Sequence, residues 1–386
     1  MSTWPTADLA IEELSGDVHP GLHRLRDQAP VAWVPAIERW LVTSRSLVVS
    51  ALRDTQTYTV DDPRFTTAQV VGPSMLSLDG DEHARHREPF VLPFRRSAMV
   101  RGFADRTRTI AGHMVEDLIG STRAGDEIDL RSGLAAPLAA ETITEALGLV
   151  DTTTAELLTW YREIVAAVEA ATVGQRRADA AQSAFAALAE ATDRSRHTPG
   201  SLMASIDAGS GLTPQELHAN TAVMLFGAIE TSEGMIANAL FHVLSNPEVI
   251  HRLVVDRWLV DQAVEESLRL EPAATLVDRY TTRPVRLGEV DLPERAAVAL
   301  SLAGANRDPA TFVDPDRFDL DRTNSGHHLA FVHGPHACIG MHLARLETSA
   351  ALHAVLDALP EARLTPDAPA PAGLVFRKPE RVPIQR

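Results

Sequence analysis

The chain is short of several residue types, and each shortage excludes something. Its 386 residues include one cysteine, Cys338, which rules out an internal disulfide framework and fits a reducing compartment. Phe, Trp and Tyr together make up only 5%. Lysine occurs once, as Lys378, so nearly every cation is arginine, the pattern that codon bias in a GC-rich genome produces. Long apolar runs are missing: stretches such as TAVMLFGAI fall far short of the roughly 18 residues that mark a membrane span. The opening MSTWPTADLAIEEL has neither the basic flank nor the apolar core of a signal peptide, so a cytoplasmic protein is expected. Positive charge is also in deficit. A net charge of −16 argues against a polyanionic partner, because nucleic-acid binding rests on a basic field.

What is present is a chain able to bury a large core, with 45% hydrophobic residues. Length alone allows two or three domains. The elements, however, are too entangled in order to separate, so residues 1–386 are read as one domain. PVAWV and RWLVT near the start are strand-like, and from Asp79 to Asp207 the period is mainly helical. ELLTWYREIVAAVEAATV and QRRADAAQSAFAALAEATDR form a helix pair broken at Gly174. Thr213 and Glu216 then make a capping box, with Pro214 at the first helical position. The spacing predicts one helix of roughly 30 residues from there, apolar nearly all round and therefore interior. DRWLVDQAVEESLRL is helical, TTRPVRLGEVDLPERAAVALSL alternates like strands, and a Pro/Asp-rich meander follows. The last periodic helix is placed directly after Cys338.

Cys338 sits at the mouth of that helix in FVHGPHACIGMHLARLE. Unpaired N–H groups and the positive end of a helix dipole stabilise a thiolate, and Gly340 and Gly334 permit close backbone approach and a tight turn. A lone cysteine is most often a small buried hydrophobe. Three chemical roles compete with that reading. One is a zinc ligand alongside His333, His336 or His342; the second is a hydrolytic nucleophile needing a distant base; the third is an axial ligand to haem iron.

The string F-x-x-G-x-H-x-C-x-G, formed by Phe331, Gly334, His336, Cys338 and Gly340, resembles the haem-binding signature of the cytochrome P450 family. GAIETS in the long helix resembles the family's acid–alcohol pair. That resemblance gives Glu230 and Thr231 the supply of protons to reacting O2, and Gly227 and Ala228 the space for it. A mid-helix Thr can also simply bond back to the preceding turn. E-x-x-R, Glu266 and Arg269, is a neighbouring pair on one helix face, and such pairs are usually surface ion pairs worth a few tenths of a kcal/mol. The resemblance makes this one buried, structural and extended by Arg317 of DPDRF. His83 and Arg87 have the spacing of the family's propionate-binding pair, joined by Arg279 and His336.

These pieces follow the family's order over residues 79–347. Val332 stands where a Gly is common, with His333 beside it, and Ala228 where many relatives carry Gly. The resemblance implies a mainly α triangular prism with a minor β lobe, and haem b between the long helix and the helix after Cys338. It implies a haem-thiolate monooxygenase of soluble bacterial type, acting on a small, largely hydrophobic molecule with O2. Electrons would come from a ferredoxin and its reductase, docking through Arg87, Arg95, Arg96 and Arg345. A monomer working in secondary metabolism or xenobiotic breakdown is expected. The alternatives are a peroxide-driven, coupling or nitrating haem-thiolate enzyme, and a haem sensor without turnover.

Overall fold

The computed structural model describes residues 5–123, 125–172 and 178–385. Short apolar runs near the start form two antiparallel strands, Val31–Val34 and Arg39–Val42, in register Val31↔Val42. Trp33 and Trp40 face each other edge-on across this pair, with ring centroids 5.8 Å apart. The sheet is completed from distant sequence. Ala297–Ser301 lies parallel to Arg39–Val42, Leu276–Thr281 lies antiparallel to Ala297–Ser301, and Tyr58–Thr59 closes the far edge. N-terminal and post-Arg269 strands thus share one lobe, as the sequence pattern implies. A second small sheet joins Glu127–Asp129, Arg363–Leu364 and Pro383–Gln385. Strands this short carry no readable alternation.

Everything else is mostly helix. The capping box forms as the sequence predicts: Thr213 Oγ1 accepts from the Glu216 N–H at 3.3 Å, and Glu216 Oε2 accepts from the Thr213 N–H at 2.8 Å. It opens a single helix, Pro214–Leu244, of 31 residues, about 46 Å long at 1.5 Å per residue. Burial on all sides makes it the central beam. The helix Met341–Ala358 packs against it and against the helix Arg96–Ser121. The pair Thr154–Thr172 and Ala178–Arg196 is helical as read, and the break assigned to Gly174 lies outside the described residues. Among the described residues no helix is long and apolar enough to cross a membrane.

The E-x-x-R pair is a core feature. Glu266 and Arg269 side chains are both 0% exposed and joined by two 2.8 Å hydrogen bonds. Their third member is Arg322, whose Nε donates to Glu266 Oε1 at 2.9 Å. The assignment of Arg317 is corrected here. Its side chain is exposed, and only its carbonyl enters the network, accepting from Arg269 and Arg322. The meander turns so that Asp319 N–H and then Arg322 meet the carboxylate.

Candidate active site

The segment ahead of Cys338 is a tight loop. The Ala337 N–H donates to Gly334 O and the Cys338 N–H to Phe331 O, each at 3.0 Å. Gly334 has φ +80°, and a Cβ there would come within 2.6 Å of Leu52 O, so glycine is required. Val332 holds φ +50°, a costly conformation for a β-branched residue. Phe331 is buried, with the Arg345 guanidinium 4.5 Å above its ring. The helix starts at Met341 with Gly340 as N-cap, two residues later than its expected start after Cys338.

Two properties of Cys338 look contradictory. Its residue surface is exposed, yet burial pushes its thiol pKa up. The N–H groups of Gly340 and Met341, with Arg87 and Arg345, act in the opposite direction and favour the thiolate.

Four cationic or donor side chains belong to this region, and two of them, Arg279 and His83, have a buried nitrogen without a partner. Arg279 is 4% exposed and buried beside no carboxylate that bonds it; its one side-chain hydrogen bond goes to Asp278 O, and its Nε is unpartnered. Burial lowers its pKa to about 10. His83 is buried with an orphan Nε2, and burial, then His336 and Arg87, lower its pKa to about 4, so it is neutral at pH 7. Its ring lies 4.3 Å from that of His336. Arg87 donates to Ala337 O at 2.5 Å. Buried donors without acceptors are unfavourable, and an entering dianion would satisfy them. The chemistry of these four residues fits the two carboxylates of a haem.

The opposite wall is the central helix. Gly227 is exposed although Leu225 and Ile229 on either side are buried, and a Cβ on it would meet nothing within 4 Å. Ala228 and Phe226 pack into the same apolar cluster as Ile339, Leu343 and Leu346 of the Cys338 side. Thr231 Oγ1 donates to Gly227 O, the back-bond open to any mid-helix Thr. Glu230 makes no bond to Thr231. It is held by the Tyr161 hydroxyl and by Lys378, whose Nζ lies 2.8 Å from Glu230 and 3.0 Å from Glu233. Arg131 completes the chain through Glu233 at 2.7 Å. Sequence reasoning noted Lys378 only as a compositional oddity, yet the sole lysine proves to be the partner of the suspected acid. Glu233, three residues after Glu230, was the readable signal for a second carboxylate on that face.

Other expectations fare differently. His336 is engaged by Asp79 at 2.8 Å, and no metal-ligating cluster among the described residues includes Cys338, so the zinc reading falls. The one such cluster, Glu82, His86 and Glu216, is already bridged by the Arg85 guanidinium. Of the four arginines assigned to donor docking, Arg95 and Arg96 are exposed, whereas Arg87 is turned inward and Arg345 is paired with Glu265. Asp62 and Arg64 pair with each other at 2.7 Å.

A family model described as cytochrome P450 matches residues 175–360. Among similar proteins, "Cytochrome P450 107B1" of Saccharopolyspora erythraea is 31% identical, covering 94% of this chain and 93% of the relative. "Nocardicin C N-oxygenase" of Nocardia uniformis subsp. tsuyamanensis is 33% identical, covering 95% of each. The solved structure of cytochrome P450 CYP109Q5 from Chondromyces apiculatus superposes with a TM-score of 0.86 at 27% identity, covering 98% of both chains.

Proposed function

The chain belongs to the cytochrome P450 family and is a haem-thiolate monooxygenase, and from that premise we propose which residues do its work and on what kind of molecule. Cys338 would hold the haem iron through its sulfur, Thr231 and Glu230 would serve proton supply, and His83, Arg87, Arg279 and His336 would hold the propionates. Phe331 and Gly340 shape the sulfur side, Gly227 and Ala228 the oxygen side. Glu266 and Arg269 are structural. The observation that supports this reading is the exposed Cys338 sulfur together with buried Arg279 and His83, each with a side-chain nitrogen left without a partner.

Bound haem supplies the O2-activating iron, and electron donation from a thiolate favours O–O cleavage. The chain's own residues supply orientation, protons and shielding. Gly227 leaves room beside the helix, and the preceding residue, Phe226, meets Phe376 edge-on at 5.6 Å in an apolar contact. Thr231 can release Gly227 O and offer its hydroxyl. Glu230, fixed by Lys378 and Tyr161, sits one residue away as the proton store. Thr231→Val keeps the shape and removes the hydroxyl. Product formed per electron pair should fall by at least about 10-fold, with Thr231→Ser restoring much of it; an unchanged ratio would remove Thr231 from the relay.

The substrate is a small, largely apolar molecule of the kind handled in secondary metabolism. Names among the relatives support this, such as "Mycinamicin IV hydroxylase/epoxidase" of Micromonospora griseorubida, as does the apolar contact of Phe226 with Phe376. A screen for a spin-state shift on ligand addition tests it. Electrons come from a ferredoxin and its reductase, and the protein works as a cytoplasmic monomer. Residues 1–386 act as one unit: the C-terminal segment is anchored by Arg377 to Glu271 at 2.9 Å, and the N-terminal Ala7 N–H bonds Trp33 O. Docking uses exposed Arg95 and Arg96. Reversing both charges should slow reduction about 10-fold at low salt and flatten its salt dependence; an unaltered salt profile places the donor elsewhere.

A further inference from the structure

Asp79 occupies the N-cap of the helix Gly80–Val91, where aspartate is among the most favourable residues, yet its carboxylate makes no cap hydrogen bond. It has turned away from the helix to three other donors. Oδ1 accepts from His336 Nε2 at 2.8 Å; Oδ2 accepts from Thr59 Oγ1 at 2.6 Å and from the Val60 N–H at 2.9 Å. A cap forgone costs about 1 kcal/mol. A carboxylate set near Arg279 and the other groups awaiting an anion also repels that anion. Both costs make sense if the carboxylate acts through His336, as carboxylates behind metal-site imidazoles do.

We propose that Asp79 is a positioning residue of the haem cradle: it fixes the His336 ring in place and ties the Thr59–Val60 segment to it, so that haem retention and the order of that segment depend on each other. The proposal rests on the haem reading above. Burial would raise the Asp79 pKa, but hydrogen bonds from His336, Thr59 and Val60 outweigh it and hold the group below the ordinary aspartate value, so it stays a charged acceptor at neutral pH. Nothing else bonds His336 among the described residues. Losing Asp79 therefore leaves the ring without that hydrogen bond, held only by its contact with His83.

The test is a double-mutant cycle on haem transfer from the holoprotein to excess apomyoglobin, followed at the Soret band, using Asp79→Asn and His336→Phe. Asp79→Asn is nearly isosteric, and thermal unfolding of each holoprotein checks that the fold is kept. Asp79→Asn and His336→Phe should each speed haem loss about 10-fold, and the double variant should lose haem no faster than His336→Phe alone. A merely structural Asp79 gives multiplied effects, which would overturn the proposal, as would a rate for Asp79→Asn within twofold of wild type. Amide exchange gives a second readout. Haem should slow exchange at Val60 in the wild type but not in Asp79→Asn; equal slowing in both contradicts the proposed tie. A wild type that takes up no haem overturns the underlying reading instead, and that is seen before any variant is made.

Discussion

Glu266→Ala should cost the fold about 3–5 kcal/mol, the usual loss when one partner leaves a buried ion pair. The size follows from what the carboxylate does. Glu266 Oε1 accepts from Arg269, Arg322 and the Asp319 N–H, and Oε2 from Arg269 Nε. Arg269 uses all five of its donors, the other three on the carbonyls of Asn306, Pro315 and Arg317. Removing the anion leaves two buried guanidinium groups without charge balance, and the meander that precedes the Cys338 loop loses its anchor. Arg322→Ala should destabilise by about 2–3 kcal/mol, by the loss of a charge-assisted bond and three carbonyl contacts. Arg317→Ala should stay within about 0.5 kcal/mol, because an exposed side chain is removed and its carbonyl remains. Denaturant unfolding of the three variants decides between Arg322 and Arg317. Equal losses at both positions would contradict the network.

Glu347→Gln should behave in the opposite sense, with a gain that grows as pH rises above 4.5. Glu347 lies in the helix Met341–Ala358, 0% exposed, where Thr142 from one neighbouring helix and Ser232 from the central helix bond its carboxyl group. Its Oε2 has no partner. Burial raises its pKa from 4.5 to about 7, against the weaker lowering by Ser232 and Thr142. The folded state thus keeps a proton that the unfolded chain releases. Below pH 4.5 the group is neutral in both states and costs nothing. As pH rises from 4.5 to 7 the penalty grows, and above pH 7 it is complete at about 3 kcal/mol. The amide variant escapes it. Its unfolding midpoint should exceed that of wild type at pH 8 by the equivalent of about 2–3 kcal/mol and match it near pH 4.5. A gain independent of pH would show that Glu347 is not the titrating group.

The sequence made the beam and the ligand loop legible for identifiable reasons. A capping box followed by some thirty residues without a strong breaker can hardly be anything but one long helix, and it is. The glycine at 334 is forced by φ and by Leu52 O, so it marks the loop wherever that backbone is needed. What stayed hidden were partners supplied from far along the chain. Lys378 reaches Glu230 across 148 positions, Asp79 reaches His336 across 257, and Thr142 reaches Glu347 across 205. Periodicity reports only neighbours on one face, so such pairings appear when the fold closes. The slip from Arg322 to Arg317 is of the same kind. Two arginines five residues apart in an aperiodic meander are equivalent until the turn at Asp314, with φ +46°, decides which one faces inward.

The central claim is that Cys338 holds a haem iron as a thiolate. Its most direct test is the absorption spectrum of the reduced, CO-treated protein beside that of Cys338→Ser. The wild type should show the strongly red-shifted Soret band of thiolate-ligated haem, and the variant should lack it. A band that survives the substitution, or a wild type that binds no haem, would contradict the account at its root.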